Sequence, residues 1–263
     1  MTKLSRIAAT LATSAMLVTP AASQAMTTAF SPGDLIKGSG STVYYFGPDG
    51  RRYVFPNDKT YFTWFSDFSK VKQIPDGVLG TIPLARQNIT YRPGRKMVKI
   101  TTDPRTYVVD QGGVLRHVAT QELAETLYGL NWKNQIDDIP DAFFVNYKIG
   151  TGIQTASDYK PQDVTAQTTT IAMDKQLDET KPTITIGSAA NGFVPTTITV
   201  KKGSTVTWTN NDSSEHSIVG KSWGSDKNLK YNESWSHTFN EVGSFDYHCG
   251  IHPVMQGTIN VVN

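Results

Sequence analysis

The chain from Thr183 onward is a succession of short segments in which apolar and polar residues alternate. Such alternation places every second side chain on the same face of a β-strand. Gly, Asn, Asp and Ser, which favour turns, separate the segments. About seven short strands within roughly 80 residues predict a β-sandwich. The segments are TITI, TTITV, STVTWTN, HSIV, SWSHTF, SFDYHC and GTINVV.

The only cysteine of the 263-residue chain lies at the end of the segment SFDYHC. Strand alternation puts Phe245, Tyr247 and Cys249 on one face and His248 on the other. Since the first face is the apolar one, Cys249 is expected to reach the buried side of the strand where the strand ends. His248 is expected to point away from the thiol.

Potential metal ligands follow Cys249 at regular spacing. His252 and Met255 come three and six residues later, and Gly250 and Pro253 favour a tight loop between them. One loop can therefore present a thiol, an imidazole and a thioether to a single point.

A second imidazole is available from His216, 33 residues before Cys249 and near the start of another predicted strand. Two histidines and a cysteine with a weak axial methionine are the ligands of blue-copper electron-transfer sites. Thiolate and thioether suit Cu(I), while imidazole suits both oxidation states. The residues therefore predict one type 1 copper ion held by His216, Cys249, His252 and Met255.

Three other interpretations of Cys249 are weaker. A buried cysteine is often only a small hydrophobic residue, but here two further potential ligands follow it at ligand spacing. Structural zinc prefers cysteine and histidine and has little use for methionine. A catalytic Cys–His pair would need the thiolate that a metal would occupy, and no protease-like signature surrounds the cysteine.

Residues 183–263 closely resemble the cupredoxins, in particular the plastocyanin and amicyanin group. The short C-x-x-H-x-x-M loop with Pro253 looks like that of amicyanin. The resemblance implies a Greek-key β-sandwich with the copper at one end, the same four ligands, and a one-electron carrier rather than an enzyme. It runs through GFVPTTITVKKGSTVTWTNND, EHSIVG, HTFNEVGSFDYHCGIHPVM and GTINVV.

The resemblance also implies a surface for electron transfer. In cupredoxins the second histidine faces solvent within an apolar patch, and electrons pass through it. In this chain that histidine is His252, and Ile251, Pro253 and Val254 would form the patch.

Two positions depart from the cupredoxin pattern. Ser217 stands where the family often has asparagine, and Gly250 stands where it often has serine or threonine. Those side chains usually fasten the ligand loops together, so the departures bear on the rigidity and redox potential of the site and not on copper binding. The backbone N–H of Ser217 is still expected to donate to the Cys249 sulfur and tune the site.

The first 25 residues have the pattern of a secretory signal peptide. Lys3 and Arg6 precede the apolar run of residues 7–18, and small residues lead to a cleavage site after Ala25. The run is too short to cross a bilayer, and no membrane span is predicted in the mature chain. Export to a periplasm or cell surface is therefore expected. The net charge of +2 gives no reason to expect nucleic acid as a partner.

Residues 26–150 form a predicted duplicated β-rich domain, with repeats at about 33–94 and 95–150. Each repeat opens with a hairpin around a glycine-containing turn, GPDG or DQGG. A helix is expected in the second repeat at TQELAETLYG, ending at Gly129. The many aromatic residues of the first repeat are interpreted as core residues rather than as a carbohydrate-binding face.

The polar stretch 151–182 is interpreted as a linker with a short helix near Ile171, and 183–263 as the copper domain. The predicted fold class is mainly β. The favoured function is an exported one-electron carrier that serves an unidentified redox partner protein. Two alternatives remain. One is copper storage or resistance. The other is a cell-surface protein whose repeats at 26–150 bind an envelope component and are the main working part.

Overall fold

The computed structural model describes residues 29–263, so the signal peptide predicted at 1–25 lies outside the described residues. Within the described range the fold is mainly β, as predicted, with three four-stranded sheets, one five-stranded sheet and short helices. No helix among these residues is both long enough and apolar enough to span a membrane.

The first repeat contains a sheet with the strand order β3-β2-β1-β4, in which β4 runs parallel to β1. Its elements are β1 (Leu35–Lys37), β2 (Tyr44–Phe46), β3 (Arg52–Val54), α1 (Asp58–Trp64), β4 (Val71–Gln73) and α2 (Asp76–Thr81).

The second repeat has the same plan, with the strand order β8-β5-β6-β7-β9 and β8 parallel to β5. Its last strand pairs in parallel with β7, and the first repeat has a single parallel bridge, Arg52–Leu84, at the equivalent place. Its elements are β5 (Met97–Ile100), β6 (Asp103–Asp110), β7 (Val114–His117), α3 (Gln121–Tyr128), a 3₁₀ turn (Trp132–Gln135), β8 (Ile136–Asp138), α4 (Asp141–Phe144) and β9 (Lys148–Ile149).

The predicted helix of the second repeat is present as α3. The Thr120 side chain accepts a hydrogen bond from the Leu123 N–H, and Gly129 ends the helix with φ at 81°, a left-handed value that favours glycine. The first repeat has the equivalent helix α1, capped by Asn57, which was not predicted. Most aromatic residues of this repeat are core residues, as interpreted from the sequence: Tyr45, Phe46, Tyr53, Phe55 and Tyr61 are buried.

The polar stretch 151–182 folds against both repeats. It contains α5 (Pro161–Gln167) and α6 (Ile171–Lys175), the second at the predicted position. Some of its large apolar residues are buried: Tyr159 packs in the core of the second repeat and Ile171 in that of the first. Met173 is exposed. The Arg92 guanidinium also donates to the carbonyls of Thr165 and Thr168.

The C-terminal part is a sandwich of two four-stranded sheets, ordered β11-β10-β13-β15 and β12-β17-β16-β14. The predicted segments all supply strands, although HSIV contributes only Val219 to β14. The strands are β10 (Thr183–Ile186), β11 (Phe193–Val194), β12 (Thr197–Lys201), β13 (Thr205–Asn210), β14 (Val219–Gly220), β15 (Ser234–Thr238), β16 (Gly243–His248) and β17 (Gln256–Val262).

Aromatic residues fill the space between these two sheets. Trp208 is fully buried, with ring centroids at 5.3 Å from Tyr247 and 5.5 Å from Trp235. The same core includes Cys249 and Met255 at one end of the sandwich. The core therefore supports the loops from which the predicted ligands come.

Candidate metal centre

Cys249 follows directly after β16 and is fully buried. Tyr247, two residues earlier, is buried in the same core, whereas His248 is exposed, as the strand alternation predicted. The thiol therefore points into the sandwich at the edge where β16 ends.

The loop after Cys249 closes through two backbone hydrogen bonds. The Cys249 N–H donates to the Met255 carbonyl at 3.0 Å, and the Met255 N–H donates to the His252 carbonyl at 2.9 Å. The loop thus folds back within seven residues before β17 begins at Gln256. Met255 is 2% exposed and packs in the same core as Cys249, while His252 is half-buried.

His216 lies between β13 and β14 and is fully buried. Its backbone is held on both sides by Leu229: the His216 N–H donates to the Leu229 carbonyl at 3.1 Å, and the Leu229 N–H donates back at 2.6 Å. A residue anchored at both its backbone groups keeps its side chain in one place.

Three of the four predicted ligands meet at one point. The Cys249 Sγ lies 3.6 Å from the His216 Nδ1 and 4.0 Å from the His252 Nδ1, and the two Nδ1 atoms are 3.3 Å apart. Donor atoms that each bind one metal ion at about 2.0–2.3 Å are necessarily this close together. Within the described residues, this group of ligand atoms, all within 4.8 Å of one another, could hold a metal ion.

A carboxylate that was not predicted from the sequence lies behind His216. The Asp212 Oδ2 lies 3.1 Å from the His216 Nε2, on the side of the ring opposite to the other predicted ligands. This hydrogen bond holds the pKa of the Asp212 carboxyl below its usual range. A carboxylate that accepts from one ring nitrogen fixes the proton there and leaves the Nδ1 lone pair free for a metal. The spacing of four residues in DSSEH was the available signal.

The two positions that depart from the cupredoxin pattern contact each other. The Gly250 N–H donates to the Ser217 Oγ at 3.1 Å, so backbone and side chain still link the two ligand loops. A Cβ on Gly250 would lie 2.8 Å from that oxygen, which means that the small residue makes room for the serine. The Ser217 N–H also points at the Cys249 sulfur at 3.5 Å, the contact expected from the sequence.

An apolar surface surrounds the edge of the site at His252. Ile251 is 43% exposed and Val254 is 80% exposed, and Pro253 between them is also exposed. Two of the other histidines contact aromatic residues instead of the site. His237 stacks on Trp223 at 5.2 Å, where burial lowers its pKa, and His117 packs against Tyr107.

Comparisons with known proteins agree with this geometry. A cupredoxin-like domain model matches residues 162–261. Amicyanin from Paracoccus versutus is 30% identical over 104 residues, which cover 37% of this chain and 76% of the relative. Amicyanin from Paracoccus denitrificans is 37% identical over 68 residues, which cover 24% of this chain and only 52% of that relative.

A purple cupredoxin from Nitrosopumilus maritimus is a similar solved structure. It is 29% identical, with 30% of this chain and 98% of that chain covered and a TM-score of 0.29. The family model covers the sandwich that carries the ligand group and begins upstream of it, at residue 162. Through this C-terminal region the chain belongs to the cupredoxin family.

Proposed function

We propose that this chain is an exported one-electron carrier in which His216, Cys249, His252 and Met255 hold a single type 1 copper ion. The observation that carries the proposal is the meeting of one thiol and two imidazole nitrogens within 4.8 Å at the end of a cupredoxin sandwich. The residues fit copper because they combine soft sulfur with imidazole donors. Met255, buried in the same core as Cys249, would supply the fourth ligand.

Bound copper supplies a centre that cycles between Cu(I) and Cu(II). The contribution of the protein is to hold the ligands in one arrangement for both states. The backbone anchors of His216, the two hydrogen bonds that close the loop after Cys249, and the Gly250–Ser217 link all serve this purpose. A copper ion held there would change its oxidation state with little rearrangement of these residues.

Electron carriage rather than turnover of a substrate fits the proposed ligand set. Catalytic metal sites keep a coordination position open for water or substrate. Here four side chains would fill the coordination positions of the ion. Three of them, His216, Cys249 and Met255, are almost completely buried. We therefore do not assign an enzymatic activity to the chain.

The apolar surface formed by Ile251, Pro253 and Val254 is the proposed contact with a redox partner protein. Replacing Val254 with aspartate should slow electron self-exchange between two copies, because each copy then brings a negative charge into the contact. Like charges facing each other cost several kcal/mol, so a decrease of about tenfold or more is expected. NMR line broadening in mixtures of the Cu(I) and Cu(II) forms measures the rate.

The matched control for this experiment is Val242→Asp. Val242 is 52% exposed and precedes β16 at the end opposite to Cys249, so the variant has the same charge far from the site. Equal self-exchange rates for the two variants would argue against this apolar surface as the contact. A blue protein that exchanges electrons with no acceptor would instead favour a role in holding copper.

Asp212 provides a second test of the proposed ligand arrangement. Replacing Asp212 with leucine should weaken copper binding by about 10–100-fold, because loss of an outer hydrogen-bond partner leaves the His216 ring unoriented. Asp212→Asn should retain most of the affinity, since its amide oxygen can still accept from Nε2. Asp226→Leu removes an equal charge from an exposed position and should change little. Competition with a Cu(I) chelator measures all three, and wild-type affinity in Asp212→Leu would contradict the assigned role.

Export rests on the signal peptide predicted at residues 1–25, and we propose a periplasmic or cell-surface location on that basis. Fractionation of cells that express the full chain tests the location. A protein found only in the cytosol with its first 25 residues intact would refute it.

A further inference from the structure

The first repeat touches the sandwich at the end of α2. The carbonyl of Thr81, the last residue of that helix, accepts a hydrogen bond from the Asn211 Nδ2 at 3.1 Å, across 130 positions of sequence. The Thr81 hydroxyl accepts a second one from the Asn191 Nδ2 at 3.0 Å. The last carbonyls of a helix have no partner within it, so an asparagine from another element can satisfy one of them.

This contact is closely packed. A Cβ on Gly187 would lie only 2.7 Å from the Thr81 Cγ2, so a glycine is needed for the approach. Nearby, Val194 of β11 is 1% exposed and packs in the core of the first repeat with Ile36 and Ile82. The end of α2 is therefore fixed against the sandwich by apolar burial as well as by hydrogen bonds.

The residue bonded to Thr81 is adjacent to the carboxylate behind His216. Asn211 and Asp212 are consecutive in the loop that follows β13. The Asn211 side chain reaches Thr81, and the Asp212 side chain reaches the His216 Nε2 at 3.1 Å. One short loop thus connects the first repeat to a proposed copper ligand.

Other contacts hold the same loop from within the sandwich. The Asp212 N–H donates to the Asn210 Oδ1 at 2.9 Å, and the fully buried Asn210 side chain donates to the Leu229 carbonyl. The Asn211 N–H donates to the Ile186 carbonyl at 2.9 Å. Loss of the Thr81 contact should therefore loosen the Asp212 carboxylate without unfolding the loop.

We propose that Thr81 is a positioning residue for the copper ligand His216 and acts through Asn211 and Asp212. The inference rests on the proposed function, because it requires His216 to bind copper. In this arrangement the docked repeat is part of the redox unit, and the orientation of the His216 ring depends on that docking.

The test compares Asn211→Ala with Asn191→Ala in the full copper-loaded chain. Asn211→Ala removes the hydrogen bond to the Thr81 carbonyl. Asn191→Ala is the same substitution at the neighbouring contact: it removes the hydrogen bond to the Thr81 hydroxyl and keeps the one from Asn211. NMR of the Cu(I) form measures how fast the His216 Nε2–H exchanges with water, and chelator competition measures the affinity for Cu(I).

Asn211→Ala should speed the exchange several-fold. It should weaken Cu(I) binding less than loss of the Asp212 carboxylate does, for which a factor of about ten or more is expected. Asn191→Ala should leave both quantities at the wild-type values. Unchanged exchange and affinity in Asn211→Ala would overturn the inference. So would equal changes in both variants, which would indicate general loosening of the contact. A wild-type chain that lacks the blue spectrum would overturn the proposed function itself. If the wild-type chain is blue and Asn211→Ala changes neither the exchange rate nor the Cu(I) affinity, only the inference is overturned.

Discussion

Replacing Cys249 with serine should abolish the intense blue absorption and the reversible one-electron couple of the copper-loaded chain. The thiolate is the one anionic soft ligand in the proposed set, and a serine hydroxyl is a poor substitute for Cu(I). Loss of outer partners already costs about 10–100-fold in metal affinity, so loss of a ligand should exceed that range. Absorption spectra, voltammetry and Cu(I) competition provide the measurements.

The control for this prediction is Met255→Leu. Both residues are buried in the same core, and the exchange of methionine for leucine conserves volume. This variant keeps the thiolate and should remain blue with an altered potential, because the axial ligand tunes the potential of such sites. A Cys249→Ser protein that stayed blue would show that the thiol does not bind the copper.

Replacing Trp208 with alanine should have the largest effect on stability. Trp208 is fully buried and its ring lies within 5.7 Å, between centroids, of the rings of Tyr247, Trp235 and Trp223. Truncation of a core tryptophan to alanine typically costs about 3–5 kcal/mol, because the neighbours cannot fill the cavity. Guanidinium unfolding of the copper-free chain, followed by circular dichroism, measures the loss.

Trp235 provides the comparison for that result. It pairs with Trp208 across β13 and β15 but is only half-buried, so Trp235→Ala should cost clearly less. Equal losses for both variants, or a Trp208→Ala loss below about 1 kcal/mol, would contradict the assignment of Trp208 to the centre of the core.

The strands of the sandwich and the grouping of the proposed ligands on the final loop were predictable because both depend on short-range patterns. Alternation along β16 correctly put Cys249 inside and His248 outside. His252 and Met255 lie within six residues of the cysteine, so spacing alone was informative. His216 needed the sandwich as well, since it comes from another loop.

Contacts between distant residues were not predictable in the same way. The hydrogen bonds from Asn191 and Asn211 to Thr81 join residues 110 and 130 positions apart. Asparagine and threonine in loops are common, and nothing in the local pattern selects this pairing. The Gly250–Ser217 contact likewise depends on two loops that lie side by side. The sequence around Gly250 alone does not indicate why a small residue is needed there.

The polar composition of residues 151–182 does not indicate that this stretch packs against the two repeats. Its polar residues predicted a linker, yet Asp174 is 1% exposed and accepts a hydrogen bond from the Gly112 N–H of the second repeat. Burial raises the pKa of this carboxyl. A few buried side chains in a polar segment suffice to dock it, and average hydrophobicity does not reveal which ones they are. The domain boundaries drawn from the sequence stay a prediction.

The measurement that tests the proposed copper centre most directly is the visible and EPR spectrum of the purified chain after addition of one equivalent of Cu(II). The proposed ligands predict an intense blue band from the thiolate–copper bond and a narrow copper hyperfine splitting. A colourless protein, or an ordinary Cu(II) spectrum with a wide splitting, would contradict a type 1 centre at His216, Cys249, His252 and Met255.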